Sequence, residues 1–421
     1  MSVLRRNIFS LFILQGSNYI ITFLTLPYLT RVLGVEGFGV YSLTLSIAQY
    51  FVIFIDFGFN LSASKRIAEH QNEPEYISRV FFETLFAKSI LCLISILGIV
   101  LFAFVSSFSI IRSELIYTVL MLIGTVLMPI WFFQGIEKLS VITKLMVISR
   151  LALLPLFFIF VRSDADIKLA IIIQSSLSLL AGIIAIIYIY KQKLIQIVNF
   201  SSLKISHTLK DSLPIFCATL SNSLYTMSTT IIIGIFSSVY EVSIFTAADR
   251  MKGAILGVFL ILGNAFYPRI NALLVNNKEQ AYALIRKIFY WQTALCLFII
   301  LFVVVFSKLI TKIMFGEEYS EVAPLLILFS PVYFLILQSA ALGNYILLPH
   351  GHKKAYTILP IASAIIHIPL CAYLASKYGA WGGIVSIVTV EVISLTLLVF
   401  ILKRKKLLFE ILYRNKQNLI Q

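Results

Sequence analysis

The sequence predicts an all-α polytopic membrane protein: twelve transmembrane helices in two six-helix bundles, related by a parallel repeat, around a central cavity. Composition is the first ground. Hydrophobic residues fill 60% of 421 positions and charged residues only 13%, where a soluble globular chain runs near half and a quarter. Spacing is the second. Apolar stretches of bilayer-crossing length follow one another with short polar loops between, and at ~20 residues per span the chain holds about a dozen. The third is the placement of charge. The net charge of +15 sits between the apolar stretches rather than on one soluble face, which excludes nucleic acid as a partner and suits a bilayer.

The spans fall at roughly 8–30, 39–63, 80–106, 113–134, 144–161, 168–190, 211–236, 242–268, 287–306, 321–349, 355–376 and 380–402. Span 1 follows Arg5 and Arg6, as a signal peptide would. Its apolar run continues past Gln15, Gly16 and Asn18 to Tyr28 with no small-residue cleavage site, so it reads as an uncleaved span. Asp56, Gly58 and Asn60 lie towards the cytoplasmic end of span 2, where glycine loosens the helix. Span 3 carries Lys88 roughly 12 Å in by the helical rise. Glu83 is expected to pair with Arg79 at i, i+4, which leaves Lys88 for the cavity or for a remote acid such as Glu391. Arg150, one or two turns into span 5, is within snorkelling reach of the cytoplasm. Span 7 sets Asn222 and Thr226 on one face. Span 12 holds Glu391 at mid-span, where an unpaired acid is protonated or binds a cation. Trp131, Trp291 and Trp381 lie near span ends, as an interfacial aromatic belt would place them.

Span 8 is the unusual one. VSIFTAADRMKGAILGVFLILGNAFYP, Val242 to Pro268, is long and apolar enough to cross, yet it contains Asp249, Arg250 and Lys252. A charge at the bilayer centre costs at least ~2.5–3.5 kcal/mol on insertion scales. Asp249 and Lys252 are i, i+3 and can pair across one turn, leaving Arg250 about 100° round the helix. Two readings stand: the cations face a polar cavity and grip an anionic group, or a neutralised pair and a snorkelling Arg sit near the outer leaflet.

The basic residues fix orientation. With the N-terminus in the cytoplasm, 23 of the 34 Lys and Arg fall on that side, among them Lys65, Arg66, Lys191, Lys204 and the Lys403–Lys406 run. Seven fall opposite, and Lys88, Arg150, Arg250 and Lys252 lie inside spans. That asymmetry in short loops puts both termini in the cytoplasm. The expected domains are residues 1–190, a basic cytoplasmic linker at 191–210, residues 211–406 and a cytoplasmic tail at 407–421. No loop holds a catalytic domain; the longest outward one runs only from Ser307 to Ser320.

Shifting the chain by about 204 residues aligns its halves. Asn18 and Thr22 meet Asn222 and Thr226, Arg66-Ile67-Ala68 meets Arg269-Ile270-Asn271, and Cys92 meets Cys296. At a slightly larger offset Gly135-Ile136-Glu137-Lys138 meets Gly351-His352-Lys353-Lys354. Six spans separate equivalents, so the halves share one orientation, the arrangement in which substrate sits between repeats that rock against each other. Gln15 extends the first polar face by one turn. The span 2 positions matching Asp249, Arg250 and Lys252 are Leu45, Ser46 and Ala48, so the cation cluster belongs to one half only.

No catalytic or metal-binding arrangement emerges. Asp56-Phe57-Gly58 matches a kinase triplet by letters, without a Gly-rich phosphate loop or an HRD catalytic loop. Cys92, Cys217, Cys296 and Cys371 form no CxxC pair, and His350 and His352 lie in a polar loop.

Several strings resemble the Wzx O-antigen flippase family: LPYLTRVLG from Leu26, IDFGFNLSASKRIA from Ile55 and WFFQGIEK from Trp131. So do SLPIFCATLSNSLYTMSTTIIIG from Ser212, Tyr267-Pro268-Arg269 and PHGHKK from Pro349, which together run along nearly the whole chain. The resemblance implies a flippase of the superfamily that also contains multidrug antiporters, with two six-helix bundles around a cavity lined by spans 1, 2, 7 and 8. It implies movement of undecaprenyl-diphosphate-linked oligosaccharide units from the inner to the outer leaflet of the bacterial inner membrane, where polymerase and ligase proteins take over. Membrane lipids surround it and no cofactor is implied beyond H+ or Na+ coupling, for which Asp56, Asp249 and Glu391 are the candidates. A diphosphate headgroup suits cations in a low-dielectric cavity, here Arg250, Lys252, Lys88 and Arg150, and a sugar suits Gln15, Asn18, Asn222 and Thr226. Two competitors remain. A multidrug or organic-cation antiporter would want acids dominating the cavity, whereas four intramembrane bases face Asp56, Glu83, Asp249 and Glu391. An O-antigen polymerase-type enzyme would be expected to present a large outward loop.

Overall fold

The computed structural model describes residues 3–102, 106–199, 203–408 and 411; of residues 3–15, 17–20, 106–108, 258, 260–265 and 353 it describes the backbone alone. Among the described residues the regular structure is entirely helical. Eight helices there have the length and apolar character to cross a membrane.

Helix α1 (Val3–Asp56) covers two expected spans and is kinked at Gly34, whose φ of 66° and ψ of −178° only glycine adopts without strain. Its Tyr28 hydroxyl donates to the Val161 carbonyl at 2.6 Å, which gives the LPYLTR string a local purpose. The chain breaks again at Phe57 and Gly58, both with positive φ, before α2 (Phe59–Glu69). A Cβ on Gly58 would lie 2.7 Å from an Ile215 methyl, so conformation and close approach both require glycine. The loosening expected at the end of span 2 is thus a full break.

Helix α3 (Pro74–Phe102) starts on proline, whose missing N–H costs nothing in a first turn. It buries Phe81, Ala87 and Leu91 and turns Leu93, Leu97 and Leu101 outward, an apolar outer face that fits lipid. Span 4 is not one helix. Short α4 (Arg112–Leu115), α5 (Val119–Leu127) and α6 (Ile130–Gly135) are separated by 3-10 and extended residues. Pro129 forces Met128 out of helical geometry, to a ψ of 100°. The WFFQG string is therefore a short packing helix, and Trp131 is not part of an interfacial belt. It is 1% exposed and packed on Phe81 and Phe132. Gly135 lies so close to Ile67 in α2 that a Cβ would overlap its side chain. The IDFGFNLSASKRIA and WFFQGIEK strings, far apart in sequence, thus meet through Ile67 and Gly135.

Helices α7 (Leu139–Phe160) and α8 (Ile167–Lys191) follow, then α9 (Ile205–Phe236), α10 (Val239–Asn276) and α11 (Lys278–Met314). The Ser238 and Asn277 side chains cap α10 and α11, accepting from Glu241 N–H and Gln280 N–H. The 37 residues of α11 run about 55 Å, well beyond a hydrocarbon core of ~30 Å. Half the outward loop expected at 307–320 is consequently helix. Helix α12 (Val322–Leu342) passes into a π turn at Gly343–Leu347, and α13 (Lys353–Arg404) is kinked at Gly379. At that kink the Ala380 N–H donates to Glu241 Oε2 at 2.7 Å. The interruption at Met128-Pro129 precedes the GIEK string, and the π turn at Gly343–Leu347 precedes the GHKK string.

The chain divides into two compact units, Met1–Ser223 and Leu224–Gln421. The division falls inside α9 rather than in the basic linker, because the linker is strapped to the first unit. Gln196 N–H donates to Ser78 Oγ at 2.8 Å and Lys204 N–H to Glu83 Oε1 at 2.9 Å. The Ser62 and Ser212 hydroxyls are 2.6 Å apart, and Phe57 stacks on Phe216 with centroids 4.5 Å apart.

Candidate functional site

In the second unit, polar groups from α9, α10, α12 and α13 converge in an apolar interior. The i, i+3 pair forms as its spacing suggests: Lys252 Nζ donates to Asp249 Oδ1 at 2.5 Å. The Lys252 side chain is 13% exposed and its ammonium lies 4.8 Å from the Phe329 ring centroid, a cation–π contact from α12. Asp249 is about one-third exposed, and Arg250 is half-buried. Behind the pair, Glu391 on α13 accepts a hydrogen bond from the Tyr225 hydroxyl on α9. One turn along α9, Thr229 Oγ1 is 2.9 Å from His367 Nε2, and the Tyr225 and His367 rings meet edge to face. Lys252 is near enough to act coulombically on both His367 and Glu391.

Burial gives this cluster its force. Glu391 is 6% exposed and His367 fully enclosed, while His367 Nδ1 and the Tyr333 hydroxyl are buried without a partner among the described residues. An unmatched buried polar atom in a native protein calls for an explanation such as a ligand, an ion or an ordered water. The cluster can exchange a proton or hold a cation on its carboxylates, and Lys252 with Arg250 can meet an anion.

In the first unit, Lys88 Nζ donates to Asp56 Oδ1 at 2.8 Å. Lys88 is 1% exposed, whereas the Asp56 side chain is 34% exposed. Lys88 therefore presents no cation at a surface; it neutralises the acid that ends α1. Arg150 is half-buried in α7. Glu83 does not pair with Arg79. Its buried carboxylate takes Arg66 at 2.7 Å, Thr208 at 2.9 Å and the Lys204 N–H, while Arg79 turns to exposed Glu75. A carboxylate that is 1% exposed needs several charge-assisted partners, and one solvent-facing Arg at i−4 would not suffice. Asn222 and Thr226 are exposed. Asn222 lines an open concavity of about 520 Å³ with Thr219, Ala218 and Leu61. The side chains of Gln15 and Asn18 lie outside the described residues.

The expected residues thus fall in separate places: Asp249, Lys252 and Glu391 converge, while Asp56 and Lys88 form their own pair. Sequence reading placed Thr229 on the polar face of span 7 but missed Tyr225, Tyr333 and His367. A signal for His367 was present, since an ionisable side chain inside SAIIHIPL is costly without a purpose.

Comparison with known proteins bears on this geometry. Residues 4–274 match the family described as "Polysaccharide biosynthesis protein". The chain is 32% identical over 417 residues to the "Putative O-antigen transporter" of Escherichia coli strain K12, covering 96% of this chain and 98% of the relative. It is 31% identical over 407 residues to the protein of the same description from Shigella dysenteriae, covering 96% and 100%. In fold it is similar to the lipid II flippase MurJ in an inward closed conformation, with a TM-score of 0.71 at 14% identity over 94% of this chain and 87% of the other. It also resembles a multidrug resistance MATE family transporter of the MOP superfamily, with a TM-score of 0.60 at 16% identity over 96% and 95%. With long apolar helices and a family match over most of its length, the chain is a multi-pass membrane transporter rather than an enzyme, and it belongs to the polysaccharide biosynthesis protein family.

Proposed function

We propose that this protein moves undecaprenyl-diphosphate-linked oligosaccharide units, of O-antigen or a related surface polysaccharide, from the cytoplasmic to the periplasmic leaflet of the bacterial inner membrane. The observation that carries this reading is the end-to-end similarity to O-antigen transporters. The likeness in fold to a lipid II flippase supports it. In this reading twelve spans form two six-helix bundles with both termini in the cytoplasm, and access alternates as the halves rock. Arg250 and Lys252 meet the diphosphate, with Arg150 as a secondary cation, while Lys88 stays paired with Asp56. Gln15, Asn18, Asn222 and Thr226 meet sugar hydroxyls. Asp56, Asp249 and Glu391 are the groups through which an H+ or Na+ gradient acts. The polymerase that uses the delivered units is the natural partner on the far side.

A drug-cation antiporter of the same fold is the competing reading. The end-to-end similarity to O-antigen transporters, rather than the charge pattern, weighs against it. The deciding experiment deletes the gene in a host that makes a surface polysaccharide and has no second flippase. Lipid-linked units are expected to accumulate on the cytoplasmic leaflet. Normal surface polysaccharide in that strain would refute the assignment.

A further inference from the structure

The second unit carries a lateral groove that plays no part in the site above. It holds about 370 Å³ between α10, α11 and the π turn after α12, and Phe259, Phe266, Leu295 and Tyr345 form much of its wall. Lys287 and Trp291 stand along its edge, and Trp291 is 70% exposed. The polar group within the wall, Gln292, is satisfied: its Nε2 donates to the Leu337 carbonyl at 2.6 Å. The adjacent cation, Arg286, is spent on the Ile411 carbonyl at 2.8 Å, so Lys287 is the cation in the groove's described lining.

The groove has the polarity profile of a lipid. From Lys287 to Leu295 is about 12 Å of helix, close to one leaflet of a hydrocarbon core ~30 Å thick. The cation stands at one end, an exposed indole comes one turn deeper, and the described lining beyond is aromatic and aliphatic apart from the Gln292 amide, already bonded to Leu337, and the Tyr345 hydroxyl. Tryptophan favours the interfacial level, and a lysine beside a leaflet surface attracts anionic headgroups. A chain long enough to cross the bilayer, such as the carrier's prenyl tail, would overrun a groove of this depth.

We propose that this groove binds an acyl chain of an anionic phospholipid, with Lys287 on its phosphate and Trp291 beside its glycerol region. Its placement in the cytoplasmic leaflet rests on the topology proposed above, while the headgroup preference does not. The test uses the full-length protein in vesicles containing phosphatidylglycerol and phosphatidylcholine, with bromine on the chains of one lipid at a time. The Trp291 signal is taken as wild type minus Trp291→Phe. Brominated phosphatidylglycerol should quench it at a mole fraction about fivefold lower than brominated phosphatidylcholine, the preference one lysine confers near a surface. Lys287→Gln should abolish the preference and Lys287→Arg should keep it, with helicity and elution volume unchanged. Equal quenching by the two lipids, or an undiminished preference in Lys287→Gln, overturns the proposal. Relief of the phosphatidylglycerol quenching by undecaprenyl phosphate at low mole fraction also overturns it, by assigning the groove to the carrier. Transport activity plays no part in the readout, so this proposal and the flippase reading fail separately.

Discussion

Glu391, almost fully enclosed and held by the Tyr225 hydroxyl, is the side chain whose chemistry is most exposed to test. Glu391→Gln keeps the volume and an acceptor for Tyr225 but removes the ionisable group. If this carboxylate couples transport to an ion, export should fall at least ~10-fold while thermal stability shifts by no more than a neutral hydrogen bond is worth, about 1 kcal/mol. An equally active Glu391→Gln would make the carboxylate structural. The Asp56–Lys88 pair predicts a different pattern. Asp56→Asn leaves the buried Lys88 ammonium without its counter-charge and should destabilise the detergent-solubilised protein by about 2–4 kcal/mol, the lower part reflecting a partly solvated Asp56. Adding Lys88→Met should recover most of that loss in a thermal melt. Arg250→Ala and Lys252→Ala should impair export at unchanged protein level, and full complementation by the double variant would remove the cation cluster from the substrate path. The sequence carried some of these side-chain pairings and not others for a simple reason. Asp249 and Lys252 share a turn, so their pairing follows from helix geometry alone. Lys88 and Asp56, or Tyr225 and Glu391, meet through tertiary packing that no local spacing encodes.

Two short helices explain why the most distinctive strings look as they do. Gly58 bends the chain where Ile215 leaves no room for a side chain, and Gly135 packs α6 onto Ile67 of α2. Gly58→Ala places a Cβ in left-handed geometry and against Ile215. A cost of order 1–3 kcal/mol is expected from the backbone alone, with the denaturation midpoint lowered accordingly. Gly135→Ala should cost about 1–3 kcal/mol by overpacking against Ile67 Cβ and the Ser64 carbonyl, read as a lowered denaturation midpoint. A Gly58→Ala protein as stable as wild type would show that the break at Phe57 is not needed. Apolar periodicity located the long helices well, because each must present an uninterrupted apolar run to lipid. It misjudged Trp131, since a tryptophan near a span end reads the same whether it faces headgroups or fills a packing layer. It also missed how far α11 extends beyond the bilayer, because hydropathy marks where a helix leaves lipid and not where the helix stops.

The chain forms two compact units, Met1–Ser223 and Leu224–Gln421. Each holds an acid–base pair, Asp56–Lys88 in the first and Asp249–Lys252 in the second, and the positions matching Asp249 and Lys252 at the repeat offset are Leu45 and Ala48. Such asymmetry is not needed to build a helical bundle; it suits a carrier in which one wall grips the substrate. The central claim is that this chain carries a lipid-linked oligosaccharide across a bilayer, and reconstitution tests it directly. Purified protein is placed in vesicles with a fluorescent undecaprenyl-diphosphate-linked oligosaccharide, and the fraction reached by a membrane-impermeant quencher is followed in time. Translocation should depend on the protein and be lost in the Arg250→Ala/Lys252→Ala variant. A rate no faster than in protein-free vesicles, or a full rate in that variant, would contradict the claim.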